Sequence, residues 1–301
     1  MLSTKTDIFL LTEDRYLEPK ENNEYNRNIL LEDEILRNAL KKNGISSQRV
    51  SWSDTSIDFS IPRYLLFRTT WDYYQRFEAF KNWLSRIENE SKTINKISII
   101  YRNLDKKYLL ELQENGIRIS ETELLRMGQN VNFESMLNAR QWERAIVKPC
   151  VSAAARETYI VNRENADALS DHISKLLKNE NFLFQIFEEQ VLTRGELSLM
   201  YFGGQFTHAI LKRAKQGDFR VQDDFGGTVE SYEASANEIE FGQKALKAWG
   251  EIPDYARVDL LWNKKGELVL SELELIEPEL WFRFNPDSAM VFARLLKNKY
   301  F

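Results

Sequence analysis

The chain has 301 residues, 43% of them hydrophobic and 29% charged, a composition that suits a soluble globular protein with core enough for two or three lobes. A formal net charge of -5 gives no electrostatic reason to expect nucleic acid or an anionic membrane as partner, and no apolar run approaches the roughly 18 residues that span a bilayer. One cysteine, Cys150, excludes an internal disulfide, and two histidines, His172 and His208, leave little for a histidine-rich zinc site, so a cytoplasmic protein is expected.

Residues 7–11 read as a short apolar strand. Residues 28–42 place Ile29, Leu30, Ile35, Leu36 and Leu40 at helical spacing, and Gly44 sits where that helix should stop. Stretches 48–52 and 64–67 read as strands and 77–87 as a helix, so a small α/β domain is expected over residues 1–100. Arg68-Thr69-Thr70-Trp71-Asp72-Tyr73 follows directly on the second of these strands. Ligands of open α/β sheets bind beyond the carboxyl ends of strands. Arg68, Thr70, Trp71, Asp72 and Tyr73 are therefore candidates for gripping a small polar substrate, with Arg68 as a bidentate carboxylate partner. The alternative is a helix start with buried aromatics.

Residues 97–101 read as a strand, 103–115 as a helix stopped by Gly116, 121–126 and 133–140 as helices, and 144–148 as a strand ending at Pro149. A run of small residues follows, Cys150-Val151-Ser152-Ala153-Ala154-Ala155-Arg156-Glu157-Thr158, before a strand at 159–161. Backbone amides exposed in such a turn can cradle phosphate; a plain tight hairpin is the alternative, since the run lacks glycine. Cys150 reads as a small residue beside that loop. Then come a helix over 164–179, a strand over 182–187, a hairpin of 195–202 with 205–212, a polar loop at 219–227, a last long helix over 237–249, and a closing stretch over 286–296.

Between the last long helix and the closing stretch, two Val- and Leu-rich runs flank residues 263–266 and predict an antiparallel hairpin. With Trp262 opposite Glu267, Asp259 faces Leu270, Arg257 faces Glu272, and Arg257, Asp259, Glu272 and Glu274 share one sheet face. Three carboxylates there suit a hard cation with oxygen ligands. The alternative is a solvated strand face, and a three-residue loop would move Asp259 to the other side.

Taken in order, Lys106, Lys148, the small-residue loop, the strand at 182–187, Glu196, Lys212, Arg220, Arg257, Asp259, Glu272 and Glu274 resemble the ATP-grasp superfamily of carboxylate-amine ligases. The resemblance is to its prokaryotic glutathione-synthetase-like branch, which includes the cycloserine-forming cyclo-ligase. Arg-Thr-Thr-Trp-Asp-Tyr, Asn-Leu-Asp-Lys-Lys-Tyr-Leu, Val-Lys-Pro with Ser-Ala-Ala-Ala-Arg-Glu-Thr, Phe-Arg-Val-Gln with Gly-Gly, and Glu-Leu-Glu-Leu-Ile-Glu-Pro carry it over nearly the whole chain. It implies an α/β fold with α+β lobes: an N-terminal pre-ATP-grasp domain over 1–100 on the substrate side, and lobes 101–182 and 183–301 clasping ATP.

The resemblance further implies that Lys106, Lys148 and the loop at Ser152 hold ATP phosphates. Gln185, Ile186 and Phe187 would meet adenine, with Glu188 or Glu196 near adenine or ribose. Lys212, Arg220 and Arg257 would be catalytic, and Asp259, Glu272 and Glu274 would hold magnesium, which manganese could replace. Many relatives have Asn at the position of Glu274, and glycines usually stand where Ala153, Ala154 and Ala155 do, so the backbone here is more restricted to negative φ. The implied reaction makes an acyl phosphate from a carboxylate and transfers it to an amine, in a second molecule or the same one. Its charges are met by lysines, arginine and metal ions, with no nucleophilic Ser, Cys or His. Small-molecule substrates and a homodimer are common in that family. Two alternatives stay open: a kinase that stops after phosphoryl transfer, and a nucleotide-binding protein without turnover, for which the alanine-rich loop is the sequence evidence.

Overall fold

The computed structural model describes residues 6–152, 156–215 and 226–301. Its first sheet is all parallel: β1 (Ile8–Thr12), β2 (Ser47–Ser51), β3 (Tyr64–Thr69) and β4 (Thr93–Ile94) stand in the order β2-β1-β3-β4. Helices α1 (Asp14–Leu17), α2 (Glu24–Lys42) and α3 (Phe77–Glu90) make the crossovers. All five residues of β1 are buried, as expected of a parallel strand covered on both faces. Ile8 and Leu10 pack toward Leu36 and Leu40 of α2, and Phe9 and Leu11 toward Phe80 and Leu84 of α3.

Helices α4 (Ile97–Asn103) and α5 (Tyr108–Glu114) lead to a second, antiparallel sheet. It contains β5 (Thr122–Leu125), β6 (Ala145–Pro149), β7 (Tyr159–Val161) and β8 (Phe182–Ile186) in the order β5-β8-β6-β7. Helices α6 (Phe133–Arg140) and α7 (Ala166–Leu176) cover it through Phe133, Leu137 and Ile173. Two expectations are corrected here. The isoleucines at 97–101 favour a strand by propensity, but Ile99 and Ile100 are buried and Asn103 bridges Leu273 and Leu275, so tertiary packing makes the segment helical. The stretch 121–126 is a strand because its backbone pairs with the open edge of β8. Strand β8 belongs wholly to this sheet, so the expected division at 182/183 falls within it.

The third sheet follows α8 (Val191–Arg194) and orders β9 (Glu196–Phe202), β10 (Gln205–Arg213), β11 (Thr228–Tyr232), β12 (Tyr255–Trp262) and β13 (Leu268–Glu274) as β11-β10-β9-β12-β13. Helix α9 (Ala236–Ala248) precedes β12 and α10 (Pro286–Tyr300) ends the chain. One face of this sheet, with Leu197, Leu199, Leu211, Val258 and Leu273, packs on Ala245 and Leu246 of α9 and Leu109 and Leu112 of α5. The other face is divided along its length. Met200, Phe202, Ile210 and Tyr255 pack against Phe292 and Leu296 of α10, whereas the opposite end carries the charged residues.

The hairpin register differs from expectation. Next to the turn Trp262 faces Leu268 and Leu260 faces Leu270, a register that continued would set Asp259 against Ser271 and turn Glu272 and Glu274 to the other face. A bulge between Asp259 and Leu260 restores the parity. Beyond it Asp259 faces Glu272 and Arg257 faces Glu274. The four charged residues share a face, as expected, through a pairing the sequence did not show.

Candidate active site

A cleft of about 1000 Å³ is lined by residues of the second and third sheets and by the segments around α1, the start of α2 and residues 71–75 of the N-terminal domain. At one end stand Ile146 and Lys148 of β6, Gln185 and Ile186 of β8, and Phe187 and Glu188 just beyond it. Gln185 donates from Nε2 to Thr122 Oγ1 at 2.8 Å, and the Ile186 and Phe187 amides donate to Glu121 O at 2.9 Å and Arg144 O at 3.1 Å, so this strand end is fixed. Burial lowers the pKa of Lys148 and raises that of Glu188. Ser152 also lines the cleft. Ala153 to Ala155 and Arg220 lie outside the described residues.

The middle of the cleft is the polar end of the third sheet. Ser198, Asp259 and Glu272 stand directly opposite one another across β9, β12 and β13, and Lys212 stands opposite Glu196. Arg257 donates from Nε to both Asp259 oxygens at 3.0 and 3.1 Å, from Nη2 to Oδ2 at 2.9 Å, and also to Glu274. Lys212 pairs with Glu196 and lies 3.6 Å from Asp259, while Lys106 pairs with Glu272 across the cleft. Burial penalises every charge here, and the partners decide the outcome. Arg257 and Lys212 outweigh burial at Asp259 and lower its pKa; Lys106 and Lys148 do the same at Glu272. At Glu274 burial wins, reinforced by Glu272 and Asp259, and pushes the carboxyl up to about 7. Glu196, one of the two glutamates expected near adenine or ribose, lines the cleft, holds Lys212 and accepts from Ser271 Oγ at 3.4 Å.

Asp259, Glu272 and Glu274 supply the oxygen donors that a hard divalent cation prefers, and their chemistry fits one. In the described geometry, however, each is engaged by a cationic side chain, and among the described residues no group of three such side chains converges closely enough to hold an ion. A cation bound here would compete with Arg257 and Lys106 for the carboxylates.

The far end of the cleft is built from irregular chain. Asp14, Arg15, Tyr16, Glu18, Tyr25 and Asn26, around α1 and the start of α2, face Glu277, Glu279 and Trp281. Apart from Glu277, which falls in the Glu-Leu-Glu-Leu-Ile-Glu-Pro motif without a role assigned to it, none of these was singled out in the sequence, because neither segment has a repeating pattern. Trp71 and Tyr73 line this end as expected; Arg68, Thr70 and Asp72 do not. Arg68 is 1% exposed and donates to Asp33 Oδ1 at 3.2 Å and to Pro278 O at 3.3 Å, so it braces the wall from behind rather than meeting a carboxylate in the cleft. Asp72 accepts from Trp52 Nε1 at 2.7 Å and from Arg76, and Thr70 is fully buried.

The wall from Leu275 to Leu280 has no strand partner, and six consecutive carbonyls each accept from a side chain of another element. Leu275 O accepts from Asn95 at 2.8 Å, Ile276 O from Tyr255 at 2.6 Å and Glu277 O from Trp71 at 2.9 Å. Pro278 O accepts from Arg68, Glu279 O from Arg257 at 3.5 Å and Leu280 O from His208 Nε2 at 3.0 Å. His208, with its pKa lowered by burial to about 4, is therefore a neutral donor. Burial, with Glu274 adding repulsion, pushes Glu277 up to about 8.

Two lysines and an arginine over paired carboxylates, between two antiparallel sheets and next to a parallel N-terminal domain, define an ATP-grasp enzyme, an ATP-dependent carboxylate-amine ligase. The chain belongs to the RimK-like ATP-grasp family: that domain model matches residues 105–275, and the model of the D-cycloserine synthetase DcsG N-terminal domain matches residues 8–95. It is 28% identical over 279 residues to the cycloserine biosynthesis protein DcsG of Streptomyces lavendulae, covering 88% of this chain and 92% of that protein. The crystal structure of D-cycloserine synthetase DcsG superposes with a TM-score of 0.86 at 26% identity, covering 97% of this chain and 99% of the other. D-alanine--D-alanine ligase from Bacillus anthracis shares the fold, with a TM-score of 0.66 at 15% identity over 97% of this chain and 95% of that one. The enzyme class expected from the sequence is thus the class found. No helix among the described residues is long and apolar enough to cross a membrane.

Proposed function

We propose that the chain is a magnesium-dependent ligase that activates the carboxylate of a small amino-acid-like substrate as an acyl phosphate and joins it to an amine, with ring closure within one molecule as the favoured outcome. The observation that carries this is the convergence of Lys106, Lys148, Lys212 and Arg257 with Asp259, Glu272 and Glu274 in one cleft, continuous with a pocket of carboxylates and aromatic rings. The similarity to a cycloserine biosynthesis protein over most of both chains favours ring closure.

Lys106 and Lys148 reach in from α5's approach and β6, where ATP phosphates would lie, with Ser152 and the strand end at Gln185, Ile186, Phe187 and Glu188 receiving the rest of the nucleotide. Arg257, held by Asp259, presents a fixed guanidinium to the transferring phosphoryl group, and Lys212, held by Glu196, adds a second positive charge. A divalent cation on Asp259, Glu272 and Glu274 would neutralise phosphate charge. The Glu279 carboxylate, with the Tyr16, Trp71, Tyr73 and Trp281 rings, suits a substrate bearing an amino group, since a carboxylate and ring faces both attract an ammonium. We place the division between the lobes after Ile186 and the N-terminal domain over 1–100.

The test is ADP release from ATP and magnesium with α-amino acids that carry a second nitrogen on the side chain. ADP formation matched by a new C–N bond supports the reading. ADP with a stable phosphorylated product would make the chain a kinase, and bound ATP without any ADP formation would make it an idle nucleotide site.

A further inference from the structure

The wall that carries Glu279 and Trp281 turns sharply at Trp281, whose φ of +54 lies in the left-handed region that a bulky residue rarely adopts. Such a conformation persists only where the surroundings over-determine it. The surroundings here are contributed largely by one carboxylate. Glu32, midway along α2 and 3% exposed, accepts the Phe282 amide at 2.9 Å, the Arg283 amide at 2.9 Å and Arg283 Nη1 at 3.3 Å. Arg283 in turn pairs with Glu279 and lies 4.3 Å over the Trp281 ring. A buried carboxylate on a helix of the N-terminal domain thus grips the two amides that follow the turn and, through one guanidinium, both cleft-lining side chains that precede them.

We propose that Glu32 is the positioning residue of the substrate wall: it touches no reactant, but holds the 279–283 turn so that Glu279 and Trp281 face the substrate. The cost of burying it is offset by those amides, by Arg283 and, more distantly, by the charge of Arg68, so a purely apolar residue would join α2 to the loop as well for packing but would leave the turn unheld. Asp33, the next residue, faces away to Arg49 and Arg68, so consecutive carboxylates on α2 brace opposite ends of the same wall.

The inference rests on the ligase reading for its functional consequence, but its geometric part is testable without ligand. Hydrogen exchange across 280–284 and across β8 is compared in the wild-type chain, Glu32→Ala and Glu32→Gln. Exchange at 280–284 should rise about tenfold or more in Glu32→Ala, less in Glu32→Gln, which keeps an acceptor oxygen, with β8 unchanged. Binding of D-cycloserine with ADP should weaken about tenfold in Glu32→Ala while the midpoint shift caused by ATP and magnesium persists. Unchanged exchange at 280–284 overturns the proposal. Equal acceleration in β8, or parallel loss of nucleotide and D-cycloserine binding, also overturns it, because Glu32 would then merely support the fold. Should Glu32→Ala not fold, Glu32→Gln decides by the same comparison. A wild-type chain that ignores ATP would refute the ligase reading instead, and the exchange result would still decide the role of Glu32.

Discussion

The two ends of the cleft are built on different principles. The phosphate-facing middle is regular sheet, where Glu196, Ser198, Lys212, Arg257, Asp259, Glu272 and Glu274 share a face because side chains alternate along paired strands. The substrate end is irregular chain whose backbone is satisfied by side chains from Asn95, Trp71, Arg68 and His208. A sheet places charged groups through backbone pairing, so one substitution removes a charge and leaves the frame. An irregular wall is placed by side chains behind it, so substitution of a residue that never meets substrate can move the whole surface.

That contrast can be broken most decisively in the sheet. Asp259→Asn and Glu272→Gln should each lower ADP release by about 10²–10³-fold or more. Asp259→Asn should also lose about 1.5–3 kcal/mol of stability in denaturant titration, because Arg257 and Lys212 lose a buried carboxylate partner and keep only Glu274 and Glu196. Full turnover in both variants would remove the carboxylates from the mechanism. Arg257→Lys keeps the charge but cannot engage both Asp259 oxygens and Glu274 together; a loss of about 10²-fold in kcat is expected, and an unchanged kcat would show that charge alone suffices there.

Behind the wall the expected effects are smaller and differently distributed. Arg68→Met should raise the substrate KM by about tenfold, the worth of a buried hydrogen bond to Pro278 O, and leave the ATP-dependent midpoint shift intact. Equal loss of both would place Arg68 in the general fold instead.

The most gradual effect is on pH dependence. The Glu277 carboxyl, pushed to about 8 from an ordinary 4.5, keeps in the folded chain a proton that the unfolded chain releases. The contribution of Glu277 to stability should therefore be greatest below about pH 4.5, fall with rising pH by at most about 1.4 kcal/mol per unit, and level off above about 8. Glu277→Gln should remove this slope, so its advantage over the wild-type chain in thermal unfolding grows from pH 5 to 8. Identical slopes would mean that Glu277 is not held in a desolvated wall.

Alternation alone determined the hairpin of β12 and β13, because a two-residue period survives in sequence whatever it packs against, while the roles of Lys106 and Lys148 and the enzyme class came from the resemblance of ordered motifs to the ATP-grasp superfamily. Tertiary structure decided the rest. The bulge beside Asp259 set which residues oppose one another, and burial of Ile99 and Ile100 turned an apparent strand into α4. The free edge of β8 turned an apparent helix into β5. Arg68 was legible as important but not as a brace, and the roles of Glu32, Glu277 and Trp281 were not legible at all. Their places depend on contacts between residues up to 251 positions apart, and no local periodicity encodes such contacts.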